Sequence, residues 1–199
     1  MYKYFLALTN APTKLLIKLI IFCLCLLGIS ACSSNQSPVV YYNSFDFSEV
    51  KSYSFYPPGS KFLETQSLNY AQRNRVEIAI ENSLNSQGFS YSEFSEADII
   101  ITYYFVTKHV KHYEKYNEIV RFCSRCLKAS TWKDNDISWK ATPGGLIIDL
   151  VNPKNNRSVW RSIYPLNYKV KDNSKEQNDK IKEAVTTMLK QYHVNNIIK

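Results

Sequence analysis

The sharpest hydropathy contrast in the chain comes near its start, where an unbroken apolar run extends from Leu19 to Leu27. It follows Lys3, Lys14 and Lys18, and no acidic residue precedes it. A basic start, a short apolar centre and small residues after it are the pattern of an export signal. A membrane-spanning helix needs about 20 apolar residues to cross the hydrocarbon layer. Lys18 stops this run short of that length, so the pattern predicts a cleaved signal over residues 1–31. The polar, aperiodic stretch up to Val40 reads as a flexible tether, with a reach of roughly 16 Å.

Alternation begins at Tyr41. Residues 41–47 and then Ser52 to Tyr56 carry alternating aromatics and predict strands, stopped at Pro57, Pro58 and Gly59. Val76, Ala79, Ile80 and Leu84 recur at helical spacing within 69–87, and Gly88 is placed to end that helix. Ile78 falls on the opposite side of the stripe. A short strand is expected over 89–94. Ile99 to Val106 is apolar on both faces, as in a central strand covered from both sides. Leu146 to Val151 and Ser158 to Tyr164 flank a turn at 152–156 and predict a hairpin. A helix over 180–192 closes the chain, with Ile181, Val185, Met188 and Tyr192 on one stripe. Residues 41–199 therefore read as one α+β domain, a largely antiparallel sheet packed against two amphipathic helices as a two-layer sandwich.

The residues after the signal core, Ile29, Ser30, Ala31, Cys32 and Ser33, resemble the bacterial lipobox. The resemblance implies a diacylglyceryl thioether on Cys32, cleavage after Ala31 and acylation of the new amino terminus. Each buried methylene contributes about 0.8 kcal/mol, so several acyl chains hold a membrane far more firmly than one. Ser33 stands where an aspartate would signal inner-membrane retention in the family's sorting rule. The implied address is the outer membrane, lipid-anchored and facing the periplasm.

Removing 31 of 199 residues leaves 168, an ordinary single domain with enough chain for a core. Three of the 25 basic residues leave with the signal, so 22 face 17 acidic ones and the net charge is +5. Of the five cysteines, Cys23 and Cys25 leave with the signal and Cys32 is lipidated. Only Cys123 and Cys126 remain, in an oxidising compartment.

Thr107 to Lys140 breaks the alternating pattern and reads as a polar, basic insertion. Lys108, Lys111, Lys115, Arg121, Arg125, Lys128, Lys133 and Lys140 stand against Glu114, Glu118, Asp134 and Asp136. Eight against four gives +4, nearly the whole net charge of the mature chain. Tyr113, Tyr116, Trp132 and Trp139 are interleaved. Such a surface favours anionic partners. Aromatic interleaving also occurs in nucleic-acid grooves, but export argues against nucleic acid. A lipid headgroup, lipopolysaccharide or cell-wall polymer is the nearer partner, with Lys108, Lys111, Lys115, Arg121, Arg125, Lys128, Trp132 and Trp139 as candidate contacts. An ordinary solvated basic face is the plainer alternative.

The order of motifs resembles the DUF4136 family of bacterial lipoproteins. The matching stretches are Phe45 to Phe47 with Tyr53 to Phe55, Ile78 to Phe89, and Ala97 to Ile100. Later come Gly144 to Leu150, Val159 to Arg161 and the closing helix. Gly145 stands where the family often has threonine, and the insertion is longer and more basic than usual. The resemblance implies an address and a fold but no mechanism, since the family has no established activity.

Three constellations carry possible chemistry. His109 and His112 followed by Cys123 and Cys126 are zinc-type ligands, and the cysteine spacing lets two thiolates reach one ion. A strand continuing through His109 to His112 would turn them to opposite sides. In a hairpin turning near Glu114, Cys123 would also sit roughly 10 Å from His109 along the strand. A local helix at 109–112 would remove the first objection. No metal is expected, and a local Cys123–Cys126 disulfide is the favoured state. A thioredoxin-like role, with Arg125 lowering a thiolate pKa, lacks the strand-to-helix setting such a pair needs. Asp98 and Asp149 could form an acid and base. Asp98 instead reads as a strand-start residue, and Asp149 as solvent-facing because Ile148 and Leu150 point the other way. Trp160 and Arg161 suggest a ligand platform or hairpin packing, and His193 has no evident partner. With no nucleophile elbow, phosphate loop or zinc-protease motif, the expectation is a non-enzymatic structural or protein-interaction domain without a cofactor. Its expected partners are the membrane, through Cys32, and an envelope protein or anionic envelope component.

Overall fold

The computed structural model describes residues 39–197, apart from 130–142 and the single positions 43, 58, 67, 108, 124, 127 and 170. The elements are β1 (Val39–Tyr41), a 3-10 turn (Phe47–Glu49), β2 (Ser52–Phe55), α1 (Lys61–Glu64), α2 (Tyr70–Ser86) and β3 (Ser90–Tyr91). There follow β4 (Ile99–Phe105), α3 (Val110–Ile119), β5 (Lys128–Ala129), β6 (Gly145–Asn152), β7 (Arg157–Pro165) and α4 (Ser174–Ile197).

Local signals fix the helix ends. Asn69 caps α2 by accepting from the Gln72 N–H, and the Gln72 side chain accepts from the Asn69 N–H in return, a reciprocal capping box. At the far end Gly88 takes the left-handed conformation, φ +89°, that a side chain would resist. The Phe89 N–H then reaches Leu84 O at 3.1 Å and the Gly88 N–H reaches Asn85 O at 3.1 Å, which satisfies carbonyls the helix leaves open. Asn173 caps α4 in the same manner, accepting from the Glu176 N–H while Glu176 accepts from the Asn173 N–H.

The sheet runs β3-β2-β4-β6-β7-β1-β5, with β2 parallel to β3 and β4 and the remaining pairs antiparallel. It is an α+β fold with a largely antiparallel sheet. Alternation along β4 decides which residues meet which layer. Ile99, Ile101 and Tyr103 join the cluster under α2 and α4, where Val76, Ile80 and Leu84 meet Val185, Met188 and Tyr192. Ile100 and Tyr104 join the opposite cluster with Ile147, Val151, Tyr116 and Val120. Both helical stripes read from the sequence are thus buried against the sheet, and Ile78 stands 47% exposed, on the outer side of α2.

The structure departs from the sequence reading in four places. Val39 and Val40, assigned to the tether, are buried strand residues that pair with β7. The expected strand over 41–47 is therefore displaced toward the N-terminus, and its end becomes a turn. The expected strand over 89–94 shortens to two residues. The closing helix starts at Ser174 rather than 180, because the cap at Asn173 lies upstream of the apolar stripe. Finally, the stretch read as a polar, basic insertion opens with a helix: His109 precedes α3, which covers the second face of the sheet over its middle strands and adds a layer there.

Candidate functional site

Thr102, Asp149 and Arg161 form one row across β4, β6 and β7, so their side chains share a face. α3 roofs that face. Asp149 and Arg161 are 0% exposed, with the guanidinium Nε 2.8 Å from Oδ1 and Nη2 3.0 Å from Oδ2. Ser158 donates to Oδ1 at 2.5 Å, and the Tyr116 hydroxyl donates to Oδ2. That hydroxyl has one proton and gives it to Asp149, so Thr102 donates to it in turn at 3.0 Å. Arg161 Nη1 donates to Asn117 Oδ1 at 2.7 Å, and the Phe122 ring lies 3.5 Å from its guanidinium carbon. Asp149 is therefore not solvent-facing as the sequence suggested. Ile148 and Leu150 do point to the other face, but α3 covers this one.

Burial pushes the Tyr116 hydroxyl well above its ordinary pKa, and the Asp149 charge pushes it further. It stays protonated and remains a donor. Burial alone would lower the Arg161 pKa, but the adjacent Asp149 charge outweighs it and raises the net value. A charge pair removed from water is tolerable only when paired and fully hydrogen-bonded. Here each is, and four of the partners (Tyr113, Tyr116, Asn117 and Phe122) come from the insertion. The network fastens the insertion to the sheet.

Asp98 is likewise committed. Its Oδ2 accepts from the Lys51 N–H, the Ser52 N–H and Ser52 Oγ, at 3.0, 2.9 and 2.8 Å. The backbone bond from Lys51 leads in holding its carboxyl below the usual range. It ties the start of β4 to the start of β2, as a strand-start residue would. Trp160 is buried under α4, edge-on to Tyr192, while Arg161 faces the other layer. The pair is no joint platform.

Cys123 and Cys126 are joined as a disulfide, with Cα atoms 5.2 Å apart. The bond takes both thiolates from the zinc set that included His109 and His112, whose rings lie 5.4 Å apart. Among the described residues no three metal-type side chains converge. The pair also follows the C-terminal end of α3, where the thiolate-stabilising start of a helix is missing. Lys111, Lys115, Arg121 and Arg125 are exposed. On α3, Lys111 and Lys115 alternate with Glu114 and Glu118, which nearly cancels the field there. Arg121 also donates to Asn155 O at 3.1 Å. Lys128 pairs opposite Tyr41 in β5. Cys32, Lys108, Trp132 and Trp139 lie outside the described residues, as does the side chain of His193.

Sequence reasoning missed a groove of about 520 Å³ at the β3 edge. Three of the five exposed large apolar side chains among the described residues line it: Tyr70, Tyr91 and Phe94, at 77, 56 and 38% exposure. Tyr70, Arg73, Asn74 and Glu77 line its α2 side, at the i, i+3, i+4, i+7 spacing of a single helical stripe. That polar stripe was visible in the sequence, but nothing marked it as facing a cleft.

No curated protein matches the chain. A crystal structure of a DUF4136 family protein from Bacteroides thetaiotaomicron is similar at a TM-score of 0.50 and 13% identity, covering 80% of this chain and 96% of that one. A PDZ domain protein from Parabacteroides distasonis is similar at a TM-score of 0.41 and 14% identity, covering 79% of this chain and 36% of that one. The family described as "Domain of unknown function (DUF4136)" matches residues 38–192, from just before β1 into the last turns of α4. The chain belongs to the DUF4136 family.

Proposed function

We propose that this chain is an outer-membrane lipoprotein, anchored through Cys32, whose periplasm-facing domain has a structural or interaction role rather than a catalytic one. The observation that carries the interaction role is the groove at the β3 edge, where exposed rings gather beside a polar helical stripe. Contiguous exposed apolar surface rimmed by polar groups marks interaction sites. The acid and base offered by the sequence support the non-catalytic side, since Asp98 and Asp149 are both engaged in holding strands and insertion together. The anchor rests on the sequence around Cys32. A disulfide at Cys123–Cys126 fits an oxidising compartment. No described helix is long and apolar enough to cross a membrane.

Two measurements test this. Wild-type chain should co-sediment with outer membrane and carry the mass of a triacylated N-terminal cysteine, and Cys32→Ser should lose both. Photo-crosslinkers placed at Tyr70 or Tyr91 in living cells should give recurrent adducts that one placed at exposed Lys175 does not. Unlipidated wild-type protein would sink the anchor, and an absence of groove-specific adducts would sink the interaction role.

A further inference from the structure

We propose that the groove at the β3 edge binds a neutral glycan chain; this names the ligand class for the interaction role above and rests on it. Two of the three rings are held in place before any ligand arrives. Tyr91 stands edge-on to buried Tyr53 at 6.0 Å between centroids. Phe94 leans on Tyr56 at 5.5 Å, and Tyr56 stacks on buried Phe62 at 5.2 Å. A site ordered in advance loses less entropy on binding. Sugar rings present flat C–H faces that pack on aromatic faces, and tyrosine adds a hydroxyl at the wet end.

The hydroxyl edge of a sugar needs paired donors and acceptors, and the groove has them. Arg73, Asn74 and Glu93 lie along its walls, and among the described residues their side chains are bound to no hydrogen-bonding partner. Glu77 is partly occupied, accepting from the Tyr103 hydroxyl at 2.5 Å. The volume falls within the roughly 300–1,000 Å³ of small-ligand sites.

Two other ligand classes fit less well. The lining carries one cation, Arg73, against Glu77 and Glu93, in a chain of net charge +8. An anionic polymer would meet the acidic part of a basic protein. A peptide adding to the sheet edge needs a row of free backbone groups. β3 has two residues, and the N–H groups of Ser90 and Ser92 are already turned to β2. Little beyond the backbone of Tyr91 faces outward.

The test uses the full lipidated chain in a detergent without sugar headgroups, titrated calorimetrically with hexasaccharides of N-acetylglucosamine and of β-linked glucose, and with a proline-rich peptide. At least one hexasaccharide should bind saturably, equally at low and high salt. Tyr70→Ala and Tyr91→Ala should each weaken it about tenfold with unchanged melting temperature, and Lys111→Glu should leave it unaltered. Binding of neither hexasaccharide, or binding indifferent to both tyrosines, overturns the assignment. If the peptide binds instead and depends on the same tyrosines, the glycan assignment fails while the interaction role survives. If the groove-sited crosslinkers in cells also capture nothing, both fail.

Discussion

Arg161 sits directly opposite Asp149 in the β6–β7 ladder, and its guanidinium Nε lies 2.8 Å from the carboxylate Oδ1 with neither side chain exposed. The pair has no water to fall back on, so removing one partner strands the other. Asp149→Leu or Arg161→Met alone should cost about 3–5 kcal/mol. The double variant should be far less destabilised than the two singles added together, because no uncompensated charge is left. Urea unfolding of the four proteins checks this, and additive losses would contradict it.

Tyr116 is the link between that pair and α3. Tyr116→Phe keeps the ring stack on Tyr104, with centroids 4.8 Å apart, and deletes the donor to Asp149 together with the acceptor for Thr102. A hydrogen bond to a charged group is worth about 1.5–3 kcal/mol, so a loss in that range is expected. Amide exchange should quicken first within 110–120, with the β4–β6 ladder still protected. Equal quickening throughout would mean that α3 and the sheet open only together.

The disulfide closes a very short loop. Chain-entropy arithmetic gives about 2 kcal/mol for a bridge between residues three apart. Cys123→Ser with Cys126→Ser should lower stability by about that amount, and alkylation of the unfolded, unreduced wild type should find neither Cys123 nor Cys126 reactive. Reactive thiols there would refute the bridge.

Asp98 gives a pH signature. Its folded pKa is depressed, with the bond from the Lys51 N–H the leading cause. The unfolded state therefore binds its proton more readily, and the carboxylate's stabilising effect is fully present above the unfolded value of about 3.9. It is lost as pH falls through the lower folded value. The stability gap between wild type and Asp98→Ala should be widest near neutrality and close in strong acid. A gap independent of pH would show that the carboxylate's charge is not what ties β2 to β4.

The two apolar positions of α2 that look alike in sequence should behave oppositely. Ile80 is fully buried and Ile78 is 47% exposed. Ile80→Ala should cost about 2–5 kcal/mol, and Ile78→Lys should stay within about 0.5 kcal/mol. Thermal melts of the two variants decide it.

Sequence periodicity carried the layers that rest on apolar stripes. Val76–Ile80–Leu84 and Ile181–Val185–Met188–Tyr192 announced two helices, and unbroken apolarity over 99–106 announced a strand covered on both sides. α3 escaped because its packing face is built of Tyr113, Tyr116 and Val120, two of which read as polar on a hydropathy scale. The insertion consequently looked like a charged surface, and Asp149 looked free. One countable signal was present. A turn at 152–156 brings Asp149 near Arg161 in the hairpin, and an acid facing a base in an otherwise apolar strand pair suggests a buried bridge. The bulge between Leu150 and Val151 shifts that count by one, which a sequence does not display. The groove was hidden for a different reason: it is made where α2, the end of β2 and the residues after β3 meet, and no local pattern encodes that meeting.

The sheet order also sets a timetable. Val39 pairs opposite Ser162, and Tyr41 opposite Trp160, so the first strand, with β5 on its other edge, cannot join the body of the sheet until the last hairpin exists. Contacts between such distant parts of a chain form slowly. A chain delivered N-terminus first must therefore wait for almost its whole length to arrive before its leading end can join. The segment nearest Cys32 is the last to be zipped in, long after β4 could meet α2.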